Sequence, residues 1–480
     1  MSIRQCVRFR GWICLVATLG LGLGLLAGAG CRGPSPHIGG SADDSRVEEI
    51  GIWNQTYVQF TEAYYVRPPG QSYGVGDGSN WSNALSGLPE DLVRGARYFL
   101  AAGDYYVGPP PDRYHAHVLD DPEDGERVIG VYKATVAEHG DASDWDVDFA
   151  VGPARLGPLA IATGYYVIDG MESAFGGERG IEIRTRDCDR RAEAAAGAPL
   201  AFPWDSLAHH VSLQHMAIAD CGSHDDVTQP AQDAIYGIAP VSHLTVRDCT
   251  VSDAWRSLVY FEDAFDLLIE RNHFVRAGRH VEASAVTLRY ARNVVIRRNI
   301  FTDAANTFLS LQGARNVIVS ANVFQRLGDD WDIWAAIWSD APALHVLVMG
   351  NTFFNLAGQN TGVRFDGPTT DLRVANNLWA LCRANEIQID GAHDHNAFYD
   401  NLRVDGDAPV PLDELIEEAT AQVFAEDPFV DAAGFDLGLA VPTEPGASVL
   451  EPFVGVDLAG LSRGRDDVWD RGAYEYRAPE

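Results

Sequence analysis

Six side chains with chemistry to offer fall at one position of a recurring pattern: Glu262, Arg289, Gln312, Asp340, Asp366 and Asp390. Two residues before them stand Tyr260, Thr287, Ser310, Trp338, Arg364 and Gln388. A pair of carboxylates suits hydrolysis of a glycosidic bond, one as acid and the other as base or nucleophile. A cluster such as Asp340, Asp366 and Asp390 offers hard oxygen ligands to Ca²⁺. The same residues also read as plain turn chemistry, because Asp precedes Gly in "FDGP" and "IDGA". Arg289 and Arg364 can neutralise an anion. Tyr260 and Trp338 present flat apolar faces on which a sugar ring stacks.

These residues share a site only if the chain returns to one place at each repeat. The phrase that makes it do so runs "FDLLIERNHF", "RNVVIRRNIF", "RNVIVSANVF", "LHVLVMGNTF" and "TDLRVANNLW". Its shared asparagines are Asn272, Asn299, Asn322, Asn351 and Asn377, spaced 27, 23, 29 and 26 residues apart. Weaker copies are "SHLTVRDCTV" before and "HDHNAFYDN" after. A period of this size marks a solenoid. Each repeat holds short aliphatic strands of period two, separated by Gly, Asp and Asn turns, with no strong amphipathic helix between them. The expected fold is therefore all-β: a parallel β-solenoid whose coils stack about 4.8 Å apart. One Asn per coil at one register is expected to form a ladder, each buried amide satisfying the next. Alternation puts Phe261, Leu288, Leu311, Phe365 and Ile389 inside and the columns above outside.

At these residues the chain resembles the right-handed parallel β-helix proteins of the pectate-lyase-like superfold. "YYVRPPGQSYGVGDGSNWSNAL" is similar to the N-terminal segment of many exported members, and "VYKATVAEHG" and "GYYVIDGMES" to their first coils. "EDPFVDAAGFDLGL" with "DVWDRGAYEY" resembles their closing segment. The resemblance implies a carbohydrate-active or carbohydrate-binding surface. "AVTLRYARNVVIRRNIF" resembles the Arg-bearing strand of the alginate and chondroitin lyase branch, which implies a catalytic role for Arg289. That branch carries a Lys one coil earlier, where this chain has Phe261 and Glu262, and its single lysine is Lys133. A Lys-based mechanism is therefore not expected.

The formal net charge of −32 repels nucleic acid phosphates and excludes DNA or RNA as partners. Residues 1–31 read as a signal peptide, with a basic start and the apolar run "WICLVATLGLGLGLLAGAG". "LLAGAGC" resembles a bacterial lipoprotein signal, which implies lipidation of Cys31 and contact with a membrane only through that anchor. Plain secretion and a retained anchor are the alternatives. Residues 32–55 read as a tether, 56–127 as an N-terminal cap with first strands, 128–400 as coils, and 401–480 as a helix plus a closing segment. Short helices are expected in "PEDLVRGARYFL" and "LDELIEEATAQVF". Cys188, Cys221, Cys249 and Cys382 leave disulfide pairing open, with a core thiol expected at Cys249.

Three further features belong to the functional reading. "LGDDWDIWAAIW" places Trp331 and Trp334 among acidic residues, in a loop expected to overhang the outward columns. "SHDDVT" is a weaker His-Asp cluster. The expected activity is an exported, monomeric protein that engages polysaccharide. It acts as a lyase or glycosidase through Arg289, Asp340, Asp366, Asp390 and Glu262, or as a non-catalytic binder. Trp338, Tyr260, Arg364, Gln312, Trp331 and Trp334 are the expected substrate contacts.

Overall fold

The structure, a computed structural model, describes residues 59–106, 117–171, 179–184, 198–220, 233–278, 283–328, 331, 333–360, 362–386, 392–405, 408–411, 418–448 and 453–478. Cys31, the signal and tether, Cys188, Cys221, Asp390, Gln388 and the "SHDDVT" cluster lie outside the described residues.

Among the described residues, the chain winds through three long parallel sheets of 13, 12 and 9 strands. It is a right-handed parallel β-helix. One coil shows the plan: Ser257–Glu262 lies in the third sheet, Phe265–Glu270 in the first and His273–Ala277 in the second. The next coil repeats it in register, with Phe261 over Leu288, Leu267 over Val294 and Phe274 over Phe301. Phe261, Leu288, Leu311 and Phe365 all point inward and are buried, as their alternation requires.

The corner between the first and second sheets explains the repeated Asn. The residue before each ladder position has a left-handed backbone: Arg271, Arg298, Ala321, Gly350, Asn376 and His395 all have φ between 53° and 62°. Two residues suffice to turn the chain sharply, and the turn leaves backbone N–H groups facing along the axis. The ladder Asn meets them. Asn322 Oδ1 accepts from the Asn299 backbone N at 2.9 Å and from Asn299 Nδ2 at 3.0 Å. Asn322 Nδ2 donates in turn to Ile296 O at 2.9 Å and Asn351 Oδ1 at 3.0 Å. The ladder continues through Asn377 to Asn396. Its far end is closed by the Glu418 carboxylate, which accepts from Asn396 N at 2.7 Å and Asn396 Nδ2 at 3.0 Å. Its near end is Cys249, whose backbone N donates to Asn272 Oδ1. The thiols of Cys249 and Cys382 are buried and unpaired, and burial pushes both up to about 12. The inward residue after each Asn builds a second column. Phe274, Phe301, Phe324, Phe353, Trp379 and Phe398 stack with centroids 4.7–5.5 Å apart and planes within 13°.

The short helix expected in "PEDLVRGARYFL" is not there. Around Leu92 the chain makes turns before the strand Ala96–Leu100. Tertiary partners take the backbone donors a helix would need: Leu92 N donates to Asp121 Oδ1 and Val93 N to the Tyr98 hydroxyl. The described part of "LDELIEEATAQVF", from Glu418 on, is a turn and the strand Gln422–Phe424, drawn into the second sheet beside Ala397–Tyr399; residues 412–417 lie outside the described residues. Within residues 56–127, Glu62–Arg67 and Ala96–Leu100 pair as strands of the first sheet.

The closing segment decides which face stays open. Val454, Phe453 and Trp469 cover Leu268, Val295, Ile318 and Met349 on the outside of the first sheet. Phe429, Leu437, Leu439 and Ala473 cover Phe354, Leu378 and Ala397 of the second. Neither cluster includes a residue of the third sheet, whose outer face carries the outward columns.

Candidate functional site

The third sheet sets the columns in strict succession. Tyr236, Tyr260, Thr287, Ser310, Trp338 and Arg364 are consecutive register partners. Glu262, Arg289 and Gln312 follow in the adjacent column. Between the large rings of Tyr260 and Trp338 lie two small side chains, Thr287 and Ser310, so the surface sinks there into a cleft of about 300 Å³. Arg289, Gln312 and Asp340 form one rim. Arg256 and Asn306 form the other, at the start of the strands.

The floor is built of hydroxyls. Ser257 Oγ lies 3.2 Å from Thr287 Oγ1, and Ser284 Oγ lies 2.6 Å from Thr307 Oγ1. Ser310 Oγ, on a residue only 2% exposed, has no hydrogen-bond partner among the described residues. A buried polar atom left in that state is costly unless something else supplies a partner.

The charged groups are mostly tied to one another. Arg256 binds the buried Asp233 through two bonds, Nε to Oδ1 at 3.0 Å and Nη2 to Oδ2 at 2.5 Å. Burial raises the Asp233 carboxyl even so, against the pull of Arg256. The Arg256 guanidinium lies 4.7 Å from the Tyr260 ring centre. Arg289 Nη1 donates to the Tyr260 oxygen at 3.3 Å, and the Tyr260 hydroxyl donates to Glu262 Oε2 at 3.3 Å. The bond to Tyr260 pushes Arg289 further above its ordinary value, against the cost of desolvation. Arg289 is thus held as a cation. Burial raises the Tyr260 hydroxyl, with Arg289 opposing.

Asp366 accepts two side-chain donors. Trp338 Nε1 donates to Oδ2 at 3.1 Å and Arg364 Nε donates to Oδ1 at 2.7 Å. Partial burial pushes its carboxyl up, but these two donors outweigh burial and hold it below its ordinary value. Asp366 therefore stays ionised and is a poor proton donor. Each of its oxygens accepts one N–H donor. Among the described residues no group of three or more His, Cys, Asp or Glu side chains could hold a metal ion, and the third member of the expected row, Asp390, lies outside them.

The expected contacts are brought together unevenly. Tyr260, Arg289, Gln312, Trp338 and Asp340 line the cleft. Glu262, Arg364 and Asp366 stand just behind it, orienting Tyr260 and Trp338. Trp334 is half-buried, with the Arg364 guanidinium 5.0 Å from its ring centre. Trp331 does not overhang the cleft: it is buried against Gly328, because the apolar indole packs onto the coil rather than facing water. Arg256, Ser257, Ser284 and Asn306 line the cleft without having been singled out from sequence. The signal for the serines was present, since "RSLVYFE" and "ASAVTLR" open with a polar residue at the same register as Thr307.

Comparison with known proteins agrees with the fold. Residues 233–403 match the family model described as right handed beta helix region. No curated protein sequence matches the chain. Among solved structures, the pectate lyase Pel9A is 10% identical over 88% of this chain and 98% of its own, with a TM-score of 0.44. A lacto-N-biosidase from Eubacterium ramulus is 11% identical over 75% of this chain and 67% of its own, with a TM-score of 0.36. PfbA, a surface adhesin of Streptococcus pneumoniae, is 14% identical over 64% of this chain and 84% of its own, with a TM-score of 0.31. Likeness at this level carries none of their chemistry to this chain.

Proposed function

We propose that this protein binds a polysaccharide along the outer face of its third sheet. The observation that carries the reading is the cleft itself: two aromatic side chains, Tyr260 and Trp338, bracket a floor of hydroxyls on the face that the closing segment leaves uncovered. Aromatic faces stack on the C–H side of sugar rings, and hydroxyls and amides exchange hydrogen bonds with sugar oxygens. Recognition fits the ionisable groups better than bond cleavage does. Arg289 is held protonated, Asp366 is held ionised, and Asp340 is the one carboxylate lining the cleft among the described residues. A hydrolase needs two carboxyl groups facing one bond, one of them protonated.

The N-terminal segment supports export, with Cys31 as the point of lipid attachment and a monomer displayed at the cell surface. Radiolabelled palmitate incorporated by the native chain and not by Cys31→Ser is the expected outcome for that part.

The function is tested by a polysaccharide screen. Binding is read by affinity electrophoresis, and turnover by reducing ends and by ultraviolet absorbance of unsaturated product. Retention on at least one polysaccharide, lost in Trp338→Ala and unaccompanied by turnover, is the expected result. Turnover abolished by Arg289→Ala replaces this reading with a lyase, and turnover abolished by Asp366→Asn replaces it with a glycosidase.

A further inference from the structure

The cleft's charge points to the class of sugar. Three guanidinium groups stand in or behind it, and each already has a partner: Arg256 on Asp233, Arg289 on Tyr260 beside Glu262, and Arg364 on Asp366. The remaining charged group on the rim is Asp340, an exposed carboxylate with no ion pair or hydrogen bond among the described residues. Three cations against four carboxylates leave the site with a formal charge of −1, inside a chain whose net charge is −32. A polymer of uronates or sulfated sugars entering this cleft meets repulsion from Asp340, while Arg289, a lining cation that bonds no carboxylate among the described residues, donates to the Tyr260 oxygen with Glu262 beside it. The Arg256–Asp233 pair, whose carboxylate is 3% exposed, already engages Nε and Nη2 of Arg256.

The floor supplies the complementary half of the argument. Ser310 Oγ is a buried atom without a hydrogen-bond partner among the described residues, and Thr287, Ser284, Asn306 and Gln312 add donors and acceptors that carry no charge. Such groups match neutral hydroxyls, and a free carboxylate such as Asp340 accepts from two adjacent sugar hydroxyls at once. The walls fix the length. Tyr260 and Trp338 are three rungs apart in register, about 14 Å along the solenoid axis. With a cleft of about 300 Å³ between them, this is room for about two linked pyranose rings.

We infer that the cleft takes an uncharged saccharide, about two sugar units of it lying between Tyr260 and Trp338 over Ser310, with Asp340 accepting from its hydroxyls. This rests on the glycan-binding reading above and narrows it.

The experiment titrates the full chain calorimetrically with matched probes. One set is neutral: xylo-, cello-, manno- and galacto-oligosaccharides of increasing length. The other is acidic: oligogalacturonate, oligomannuronate and chondroitin sulfate oligosaccharides. The expected result is binding to at least one neutral series, insensitive to salt, with affinity rising up to the disaccharide and little beyond it. Ser310→Phe, which fills the cleft from an outward position, is expected to weaken that binding by at least about tenfold. Thr287→Val, close in shape and lacking the hydroxyl, is expected to weaken it by less and serves if the first variant fails to fold. Asp340→Asn is expected to weaken neutral binding without creating acidic binding. Tightest binding to an acidic series, falling steeply with salt, overturns the inference while leaving the glycan-binding reading intact. Neutral binding unaffected by both Ser310→Phe and Thr287→Val overturns the placement over Ser310. Failure of every probe to bind overturns the inference and the reading together.

Discussion

Trp338 and Asp366 sit one rung apart on neighbouring coils, and the indole Nε1 of the first donates to Oδ2 of the second at 3.1 Å. This bond turns a carboxylate that resembles a catalytic group in sequence into the support of an aromatic wall. Asp366→Ala frees the indole to rotate and is expected to lower glycan affinity by roughly tenfold, whereas Asp366→Asn, which keeps an acceptor oxygen, is expected to lower it less. Tryptophan fluorescence on ligand addition reads the same change directly.

The Asn ladder is the most sensitive structural element. Asn322→Ala removes the acceptor for the Asn299 backbone and side-chain N–H groups and strands them in the core. Loss of about 3 kcal/mol of unfolding free energy is expected in urea titration, on the scale of leaving buried polar groups unsatisfied. If Asn322→Ala were as stable as the native protein, the ladder would contribute packing only.

The aromatic stack should respond to volume. Phe324 lies between Phe301 at 4.8 Å and Phe353 at 5.1 Å, fully buried. Phe324→Ala is expected to cost about 3–5 kcal/mol by opening a cavity, and Phe324→Leu distinctly less. Both are measured by chemical denaturation with far-UV circular dichroism.

Stability should depend on pH on both sides of neutrality. Lys133 is buried, and its ammonium donates to Ala134 O and Phe149 O with no carboxylate paired to it among the described residues; burial pulls it down to about 8. Between about pH 8 and 10 the unfolded chain holds this proton and the folded chain does not, so stability rises with pH. The full effect is on the order of 3 kcal/mol. Above pH 10 the half-buried Tyr132 and the buried Tyr166, both raised, reverse the trend. On the acid side His139 and His210 are each pulled down to about 4, chiefly by desolvation. Stability is therefore expected to fall as pH drops from 6.5 toward 4. Lys133→Met is expected to flatten the alkaline limb in thermal melts across this range and leave the acid limb unchanged.

The amino-acid order alone determined the solenoid, because its signal is local and repeated. An aliphatic pair, an Asn and an aromatic recur at Asn272, Asn299, Asn322, Asn351 and Asn377, and only coils stacked in register satisfy all those amides at once. The outward columns followed from the same period, so Tyr260, Arg289, Gln312, Trp338 and Asp340 could be placed on one face before any coordinates. What the sequence left open was pairing between side chains. Whether Asp366 meets Trp338, or Arg256 meets Asp233, depends on rotamers and on loops whose lengths differ from coil to coil. Nor could it show that Trp331 is buried, that Glu418 closes the ladder, or that the described closing segment packs on the first two sheets. Those are contacts between residues far apart in the chain, fixed by burial and by competition for backbone donors, and only the folded molecule brings the competitors together.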